Sequence, residues 1–542
     1  MHRLSLLLAI AASTTCGFAQ TTLVVPTASY PTIQSAIVAA VNNDTVLVLG
    51  GTYQENINFL GKDILVTAAV GPTATTIDGS LNAQPTVLFS TGSSRAARLE
   101  GFTITGGSNP GVTATNVGGG IRINGASPTV RGCIVRNNTA GAYGGGIGAT
   151  DNPGGQVTSP LIDACIIQDN AANQASFASG GGIAMGGFGT GAPPSLGEIR
   201  NCTIRRNTAN TRGGGVLLLY NARCTIDSNR IHGNMTLGTT GNLDGGAGIF
   251  FSLNAVATIT NNRIWHNISN SNGGGIKFFN VTGGLIVNNT IIDNTGGGIA
   301  GFANAGAFGV NVVANVANCI VWNNGGSGEF AFTGLDQVAQ PPGANVSFSD
   351  VAGGFPGTGN INVAPMLLNA GSGNHRLAAG SPCHDTGNSS ALGLPPTDFE
   401  GDARVIGAAA DIGADEYLGS KALHWADRAT VSQSAPSNIT YSVDGGAGRA
   451  GHIYVVFLGL SGTEPGLDFG GQHLPLNIDQ LTLALNLSGG LNGSGQGSTV
   501  LPLGAIGLPR QLIGLTLSSA AAIVGPGPVL AFTNDENVRF VP

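Results

Sequence analysis

The sequence predicts an all-β protein built from stacked coils and followed by a small β-domain. Three observations lead to this fold class: the composition, a recurring glycine run, and an Asn that recurs behind each run. The 542 residues include 88 glycines, and hydrophobic residues make up 42% of the chain while charged residues make up 9%, against about 25% in an ordinary domain. This composition favours many short strands joined by tight turns, whereas disorder requires low hydrophobicity and high charge.

The first residues have the features of a secretion signal. Arg3 supplies a positive charge, residues 6–12 are apolar, and 17–19 (Gly-Phe-Ala) form a small-x-small cleavage site. We therefore expect residues 1–19 to be a signal peptide, with Gln20 as the first residue of the mature chain.

Two further features bear on localisation. Cys16 leaves a lipoprotein as an alternative, but the residues before it, Ser13 to Thr15, match a lipidation signal poorly. No later stretch reaches the roughly 18 apolar residues that a membrane-spanning helix needs. We expect a soluble protein that is secreted or held at the cell surface.

Glycine runs mark a repeat along the middle of the chain. They lie at 118–121, 144–147, 180–183, 213–216, 246–249, 273–276 and 296–299. Each run leads into a short strand, and a second strand follows. Repeats at intervals of roughly 20–50 residues indicate a solenoid.

Fixed slots follow the second strand of every coil. One slot, three residues after an inward Val or Ile, holds Cys133, Cys165, Cys202, Asn229, Asn262, Asn289 and Cys319. A second slot, five residues further on, holds Asn138, Asn170, Asn207, Asn234, Asn267, Asn294 and Asn324. Because equivalent positions of neighbouring coils stack about 4.8 Å apart, the Asn amides are expected to hydrogen-bond in a ladder.

The apolar residues three positions before the Asn ladder should form one buried column. They are Val135, Ile167, Ile204, Ile231, Ile264, Ile291 and Val321. Inward stacking of this kind is what holds a solenoid together.

Several phrases resemble one family of solenoids. The stretch "YPTIQSAIVAAVNNDTVLVLGGTYQENI" is similar to the opening of right-handed parallel β-helix proteins of the pectate-lyase-like fold, in which a short helix, here about Thr32 to Val41, caps the first coil. "TTIDGS" and "GFTITGG" are also phrases of that family. Near the other end, "GSPCHDTGN", "DFEGDAR" and "DIGADEY" resemble the closing block of exported β-helix proteins of the choice-of-anchor Q group.

The resemblance covers roughly residues 25–418 and suggests a domain organisation. We expect a cap and first coils at 20–80, β-helix coils at 81–365, a closing block at 366–420 and a sandwich-like β-domain at 421–542. The fold implies no single activity, because it is shared by lyases, hydrolases, esterases, adhesins and non-enzymes.

The cysteine slot has three interpretations. Cys133, Cys165 and Cys202 occupy it in consecutive coils, within disulfide reach by Cα distance. Parallel stacking points their side chains the same way, however, and free Cys packs well as a small hydrophobe. Buried thiols are therefore favoured over a disulfide or a metal site.

Acidic residues cluster in the closing block. They are Asp398, Glu400, Asp402, Asp411, Asp415 and Glu416. Oxygen ligands of this type suit Ca²⁺, and Asp398, Glu400 and Asp402 alternate as in a calcium loop, although the rest of an EF-hand is absent. The alternative is that they cap turns and pair with Arg404. The triplet Asp385-Thr386-Gly387 does not indicate an aspartic protease, because no hydrophobic strand precedes it.

A group of cationic and aromatic residues is predicted on the outer face of the strand before each Asn. It consists of Arg205, Arg230, His232, Arg263, Trp265 and His266. Arginines bind carboxylates bidentately, and Trp stacks on sugar rings. His232 or His266 could also act as the base that β-elimination of uronates needs. The alternative is that these residues form a solvent-exposed face that binds no ligand.

The functional expectation follows from this stripe. We expect an exported scaffold that binds an acidic polysaccharide, with a polysaccharide lyase or hydrolase, or an adhesin without a ligand site, as alternatives; whether it is an enzyme stays open. The coils lack the carboxylate pair of a glycoside hydrolase. Ca²⁺ is a possible cofactor. The net charge of −7 argues against nucleic acid as a partner, and we expect a monomer.

Overall fold

The computed structural model describes residues 20–113, 116–150, 157–187, 195–239, 243–279, 283–304, 313–335 and 343–417, and a set of strands between 423 and 541. The expected signal peptide, including Cys16, lies outside the described residues. No helix among those that the structure describes has the length and apolarity to cross a bilayer.

Each coil of the solenoid passes through three parallel sheets. Sheet 1 begins directly after the glycine run, sheet 2 follows it, and sheet 3 precedes the Asn ladder. Sheet 1 consists of Ile57–Asn58, Val87–Phe89, Ile121–Asn124, Ile147–Thr150, Ile183–Gly186, Val216–Leu219, Ile249–Ser252, Ile276–Phe279, Ile299–Asn304 and Phe330–Leu335. Sheet 2 consists of Thr22–Val25, Thr45–Val48, Leu65–Ala68, Arg98–Glu100, Thr129–Arg131, Leu161–Asp163, Leu196–Arg200, Arg223–Asp227, Val256–Thr260, Leu285–Val287, Val313–Ala317 and Gly343–Ser347.

Sheet 3 carries the predicted outer stripe, and a short fourth sheet leads from it to the next glycine run. Sheet 3 consists of Gly51–Tyr53, Thr75–Asp78, Thr103–Thr105, Ile134–Arg136, Ile166–Gln168, Thr203–Arg205, Arg230–His232, Arg263–Trp265, Thr290–Ile292, Ile320–Trp322 and Asp350–Val351. The short sheet consists of Ser108–Asn109, Thr139–Ala140, Ala171–Ala172, Thr208–Ala209, Met235–Thr236 and Ile268–Ser269.

The predicted apolar column is confirmed. The residues from Val135 to Val321 pair in register along sheet 3, and each is fully buried. Side chains alternate across a strand, so the residues on either side of this column must face outward. The register therefore places the stripe on the outside of the sheet.

The Asn ladder is also confirmed, and each rung is satisfied on every side. Asn207 donates from its backbone N–H and its Nδ2 to Oδ1 of Asn234, at 3.1 and 3.0 Å, and donates a further bond to the Ile167 carbonyl at 2.9 Å. The pattern repeats from coil to coil. The ladder ends on a carboxylate, because Glu329 accepts from both the backbone N–H and Nδ2 of Asn324.

The inward cysteine slot holds free thiols. Every cysteine in the described ranges is buried and unpaired with another, including Cys133, Cys165 and Cys202. The Cys165 backbone N–H donates to Sγ of Cys202 at 3.4 Å, so the thiols continue the stack that the Asn side chains form in later coils. Burial raises the pKa of the Cys133 and Cys165 thiols well above its ordinary value.

A short helix closes the first coil, as the resemblance implied. It spans Ile33–Ala39, and Thr32 caps its N-terminus in a capping box with Ser35. Ile33, Ala36 and Ile37 are buried against the open end of the stack. The helix thus covers apolar side chains that would otherwise face water.

Residues 366–417, which we call the closing block, form mainly irregular structure. A hairpin of Leu367–Asn369 and Asn374–Leu377 encloses the 3₁₀ turn Ala370–Ser372. The block is tied to consecutive coils by Asn side chains at the turn between sheets 2 and 3. Asn261 donates to the Thr397 carbonyl, and Asn288 donates to the carbonyls of Asp411 and Gly413.

The strands beyond 423 are mostly antiparallel, in contrast to the coils. One sheet consists of Leu423–Ala426, Ile439–Asp444 and Gln496–Leu501. Another consists of Thr430–Ser432, Ile453–Gly459, Asn486–Gly490, Thr516–Val524, Val529–Phe532 and Glu536–Val541. Leu467–Phe469 pairs with Gln472–Leu474. The separate sandwich-like domain at 421–542 stays a prediction.

Candidate functional site

The stripe predicted from the sequence lies on one face in consecutive coils. Sheet 3 pairs Arg205 with His232 and His232 with Trp265 in one row, and Arg230 with Arg263 in the other. Parallel strands in register place these side chains about 5 Å apart from coil to coil. The residues therefore converge as the repeat requires.

The closing block covers part of this stripe, which the sequence did not indicate. Arg263 is 2% exposed, and its guanidinium donates to Glu400 at 2.9 Å, with Asp415 3.7 Å away. Arg376 of the block also binds Glu400. The expectation of a stripe that is open along its whole length is thus corrected at Arg263, because a carboxylate of the same chain occupies its guanidinium.

An aromatic side chain of the block lies over the two arginines. The Phe399 ring contacts the guanidinium carbons of Arg263 and Arg230, which are 4.0 and 4.8 Å from its centroid. Stacking over an aromatic face stabilises a desolvated guanidinium. This contact, together with Glu400, explains how Arg263 is buried while charged.

Trp265 is also covered. Its side chain is 7% exposed. The His232 ring stacks on it with the ring centroids 4.2 Å apart, and the His375 ring meets it in a T-shaped arrangement with the centroids 4.8 Å apart. Gly373 has a φ of +91°, and a Cβ at this position would lie 3.1 Å from the Trp265 ring, so a side chain there would be strained and would meet the indole. The indole therefore packs against protein rather than presenting a platform for a sugar.

Electrostatics favour the neutral forms of the two histidines that contact Trp265, of which His375 is buried and His232 is half-buried. Burial and the nearby Arg205 lower the pKa of His232 well below its ordinary value, and burial and Arg263 do the same for His375. Burial in the closing block raises the pKa of Glu416 to about 8, even though Arg404 binds it. Burial thus favours the uncharged forms of these groups.

Part of the stripe stays accessible, and we call it the open strip: Arg136, Gln168, Arg205, Arg206 and His266. Arg136 and His266 are exposed, and Arg205 is half-buried. Arg205 donates to Gln168 at 2.8 Å, while Arg206 binds Asp169 with two parallel bonds of 2.8 and 2.7 Å. Arg206 lies in the turn directly after the strand. The open strip is therefore a cationic surface beside the closing block.

The expected calcium ligands are engaged in other contacts. Asp398 is buried and accepts the backbone N–H groups of Glu400, Asp402 and Glu416, so it organises the turn. Glu400 binds arginines, as described above. The three carboxylates do not form a metal-sized cluster in the described structure. The alternative interpretation, turn capping and pairing with Arg404, agrees with these contacts.

Another group of side chains does meet the geometry of a metal site. Ligand atoms of His384, Asp385 and Asp411 lie within 4.8 Å of one another. Asp411 accepts the backbone N–H of Asp385 and of Tyr417, both at 2.6 Å, and Asp385 accepts that of Ala409. These hydrogen bonds give the carboxylates a structural role in the loop.

A second buried cationic position lies on the outer side of sheet 1. Lys277 is fully buried between Phe250 and Ala300 of the neighbouring coils. Lys277 lies outside the stripe that was predicted from the sequence. The signal that could have found it is a lysine within the otherwise apolar run "GGGIKFF", which places a charge where neighbouring coils have Phe and Ala.

Comparison with known proteins supports the architecture. Residues 73–238 and 120–339 match the family model described as the right handed beta helix region. Searches of curated proteins and of solved structures gave no significant match. With the parallel sheets and the stacked columns, this match identifies the coils between residues 73 and 339 as a right-handed parallel β-helix.

Proposed function

We propose that the chain is an exported β-helix scaffold that binds an acidic polysaccharide along the open strip. The observation that carries the proposal is the pair Arg205 and Arg206, which stay partly exposed at the end of one coil although Arg206 binds Asp169, whereas Arg263 is buried in its pair with Glu400. Arg136 lies two coils away on the same face. Stacked coils at about 4.8 Å place it roughly 10 Å from Arg205.

The chemistry of the open strip favours an anionic ligand. Arg206 binds Asp169 in the bidentate geometry that also suits a uronate, and both side chains are about one-third exposed, so the proposal requires the ligand to compete with Asp169 for this guanidinium. Added salt should weaken binding, because partly exposed charges are screened. Export, and the relation of the closing block to the choice-of-anchor Q group, are part of this proposal and rest on the sequence.

A polysaccharide lyase is the second candidate, and His232 is the observation that favours it. Its lowered pKa keeps the imidazole neutral, as a general base must be, and Arg205 is a cation beside it. His232 is half-buried and stacked on Trp265. Lyase activity would appear as unsaturated products that absorb in the ultraviolet when polygalacturonate or alginate is supplied.

The binding test uses the chain from Gln20 onward with polygalacturonate, alginate and a sulfated glycan, and with dextran as the neutral comparison. Arg205→Ala combined with Arg206→Ala should weaken acidic-glycan binding about tenfold or more, since each charged hydrogen bond contributes about 1.5–3 kcal/mol. Calorimetry at two salt concentrations measures the loss.

The matched control is Arg131→Ala combined with Arg200→Ala. These arginines lie on either side of Asp163 on sheet 2, with their Nε atoms 3.4 and 3.3 Å from its carboxylate oxygens. Their side chains are at least as exposed as that of Arg206. Unchanged binding in the control, with loss in the open-strip variant, supports the proposal. Equal effects, or no acidic glycan bound by the wild type, would leave the scaffold without a ligand site as the better description.

A further inference from the structure

The buried Lys277 lies in an unusual setting on sheet 1. Its strand, Ile276–Phe279, pairs with Ile249–Ser252 and Ile299–Asn304. The outward position that Lys277 occupies is Phe250 in the preceding coil and Ala300 in the following one. The side chain is 0% exposed, so the amine is removed from water among apolar neighbours.

Glycines fix the path of the lysine side chain. A Cβ at Gly245 or Gly246 would lie 3.2 or 3.1 Å from a Lys277 side-chain carbon, and one at Gly273 would lie 2.9 Å from it. The aliphatic part of the Lys277 side chain therefore packs directly on the backbone of these glycines, where no side chain intervenes. This packing directs the Lys277 side chain back toward residue 272, which precedes the glycine run of the same coil.

The amine reaches one particular side chain there. Nζ of Lys277 donates to Oδ1 of Asn272 and to the backbone carbonyl of Asp244. Gly245, which follows Asp244, forms a parallel bridge with Asn272, so both acceptors sit at the same corner of two stacked coils. Since a C=O bond is about 1.2 Å long, contact with Oδ1 also brings Nζ close to the Cγ carbon of Asn272.

The environment favours a nucleophilic amine. Burial lowers the pKa of Lys277 to about 7, with the carboxylate of Asp244 acting in the opposite direction and Arg212 adding to the decrease. A lysine with a lowered pKa exists in part as the free amine at neutral pH, which is the reactive form. The neutral amine has two N–H groups, which can donate to Oδ1 of Asn272 and to the Asp244 carbonyl.

We propose that Lys277 and Asn272 form an intramolecular isopeptide bond. The Nζ lone pair adds to Cγ of Asn272, the carboxamide Nδ2 takes up the proton that Nζ releases, and the Cγ–Nδ2 bond breaks. The products are an amide between Nζ and Cγ, with Oδ1 as its carbonyl oxygen, and one molecule of ammonia. The step is neither an oxidation nor a reduction and requires no co-reactant.

Asp244 is the group assigned to move the proton. Asp244 is 6% exposed, its backbone carbonyl accepts from Nζ, and its carboxylate is close enough to act electrostatically on the amine. A buried carboxyl beside the amine can accept the proton from Nζ and return it to the departing nitrogen. Proximity of fixed groups accounts for the rest of the rate, because the fold holds amine and carboxamide in contact.

A competing reaction gives the same change in mass. Asn272 is followed by Gly273, and attack of the Gly273 backbone nitrogen on Cγ would also release ammonia and form a succinimide. Loss of ammonia must therefore be assigned to a bond. Hydroxylamine cleaves a succinimide at the Asn–Gly position, whereas it leaves an isopeptide bond intact.

Peptide mapping of the denatured wild-type chain is the first experiment. Trypsin cuts after Arg263 and has its next sites at Lys277 and Arg376. The proposal expects no cut at Lys277 and an uncut peptide of residues 264–376 lighter by one ammonia. A peptide of full mass that ends at Lys277 would overturn it.

Variants then identify the reacting groups. Lys277→Arg keeps a cation but has no reactive amine, and Asn272→Ala removes the carboxamide, so both should restore full mass. Lys277→Met serves if the Arg variant does not fold. Asp244→Ala should slow the reaction and leave a fraction of unreacted chains. Ammonia loss that persists in Lys277→Arg, or cleavage by hydroxylamine, would assign the change to the succinimide and reject the isopeptide bond.

Discussion

At the scale of single residues, stability inside the coils comes from the buried Asn side chains of the ladder, whose hydrogen bonds are satisfied. Asn267 is 0% exposed, receives bonds from Asn234, and donates to Asn294 and to the Ile231 carbonyl. A buried amide is costly unless every partner is present. The ladder therefore fixes the register of neighbouring coils in addition to filling the turn.

Substitution of one rung should destabilise the whole stack. Asn267→Ala leaves the backbone N–H and Nδ2 of Asn234 and the Ile231 carbonyl without their partner, which should cost about 1–3 kcal/mol. Urea unfolding followed by circular dichroism measures the change. Asn270→Ala, at an exposed position, is the control and should change stability by less than about 0.5 kcal/mol. Equal effects of the two variants would contradict a buried ladder.

A second residue-scale expectation concerns pH. His375 has a lowered pKa when folded, because it is fully buried beside Arg263, while an unfolded His titrates near about pH 6.5. The unfolded chain thus binds more protons below that value. The stability that the neutral ring permits is present above about pH 6.5 and is lost as the pH falls.

Replacing the ring isolates this contribution. His375→Phe keeps an aromatic edge against Trp265 and removes the titration, so the free energy of unfolding should fall less between about pH 7 and about pH 5 than it does in the wild type. Chemical unfolding at each pH gives the difference. His384→Phe, at an exposed position, controls for the number of histidines. A His375 variant with the wild-type pH profile would show that this ring stays uncharged for another reason.

At the scale of elements, the closing block and sheet 3 are held together by a buried charge network. Glu400 lies between Arg263 and Arg376, with side-chain exposures of 9%, 3% and 8%. Burying an ion pair offers little net stability, but removing one partner leaves an uncompensated charge. The network therefore determines where the block sits more than how stable the chain is.

Neutralising Glu400 should release the block before the coils. Glu400→Gln leaves two buried guanidinium groups short of a carboxylate, a change that costs about 3–5 kcal/mol in buried pairs. Hydrogen exchange should rise in residues 366–417 and stay low in sheet 1. Glu198→Gln is the control, since its pair with Arg95 is more than one-third exposed and should contribute less than about 1 kcal/mol. Unchanged protection of the closing block would mean that its backbone contacts suffice.

At the scale of the whole molecule, the problem that the fold must solve is the open end of a stack. The first coil would expose Leu23 and Val46 together with free strand edges, and exposed edges promote association. The helix Ile33–Ala39 covers that end with residues that are fully buried, while its other face meets solvent, where Val38 is 60% exposed. We therefore expect the cap to prevent a second molecule from stacking on this end.

Two adjacent residues of the cap provide a matched test. Ile37→Asp places a charge at a position that is 0% exposed and forfeits roughly 1.5–3 kcal/mol of burial, so the cap should detach and the chain should self-associate. Val38→Asp introduces the same charge one residue away on the exposed face and should stay at the wild-type size. Light scattering after gel filtration distinguishes them. Association in both, or in neither, would argue against a capping role.

The coils could be predicted from the amino-acid pattern alone, because the residues that build them recur periodically. The inward column from Val135 to Val321, the Asn ladder and the thiol slot each repeat at positions that a parallel stack must bring together, so counting residues was enough to place them. The cap helix could also be predicted from the sequence, since both its N-terminal capping residue and the apolar face of the helix are local features. The register of sheet 3 also brings Arg205, His232 and Trp265 into one row and Arg230 and Arg263 into another.

Which part of the outer face of sheet 3 meets solvent depends on tertiary packing and could not be predicted from the sequence. The closing block lies more than a hundred residues from Arg263 in sequence, has no period, and docks through contacts such as Glu400 with Arg263 that no local pattern specifies. The same holds for Lys277, whose contact with the Asp244 carbonyl joins different coils. The spacing of residues predicts which side chains stack on each other in neighbouring coils. The burial of a charge, in contrast, depends on which distant segment packs over it.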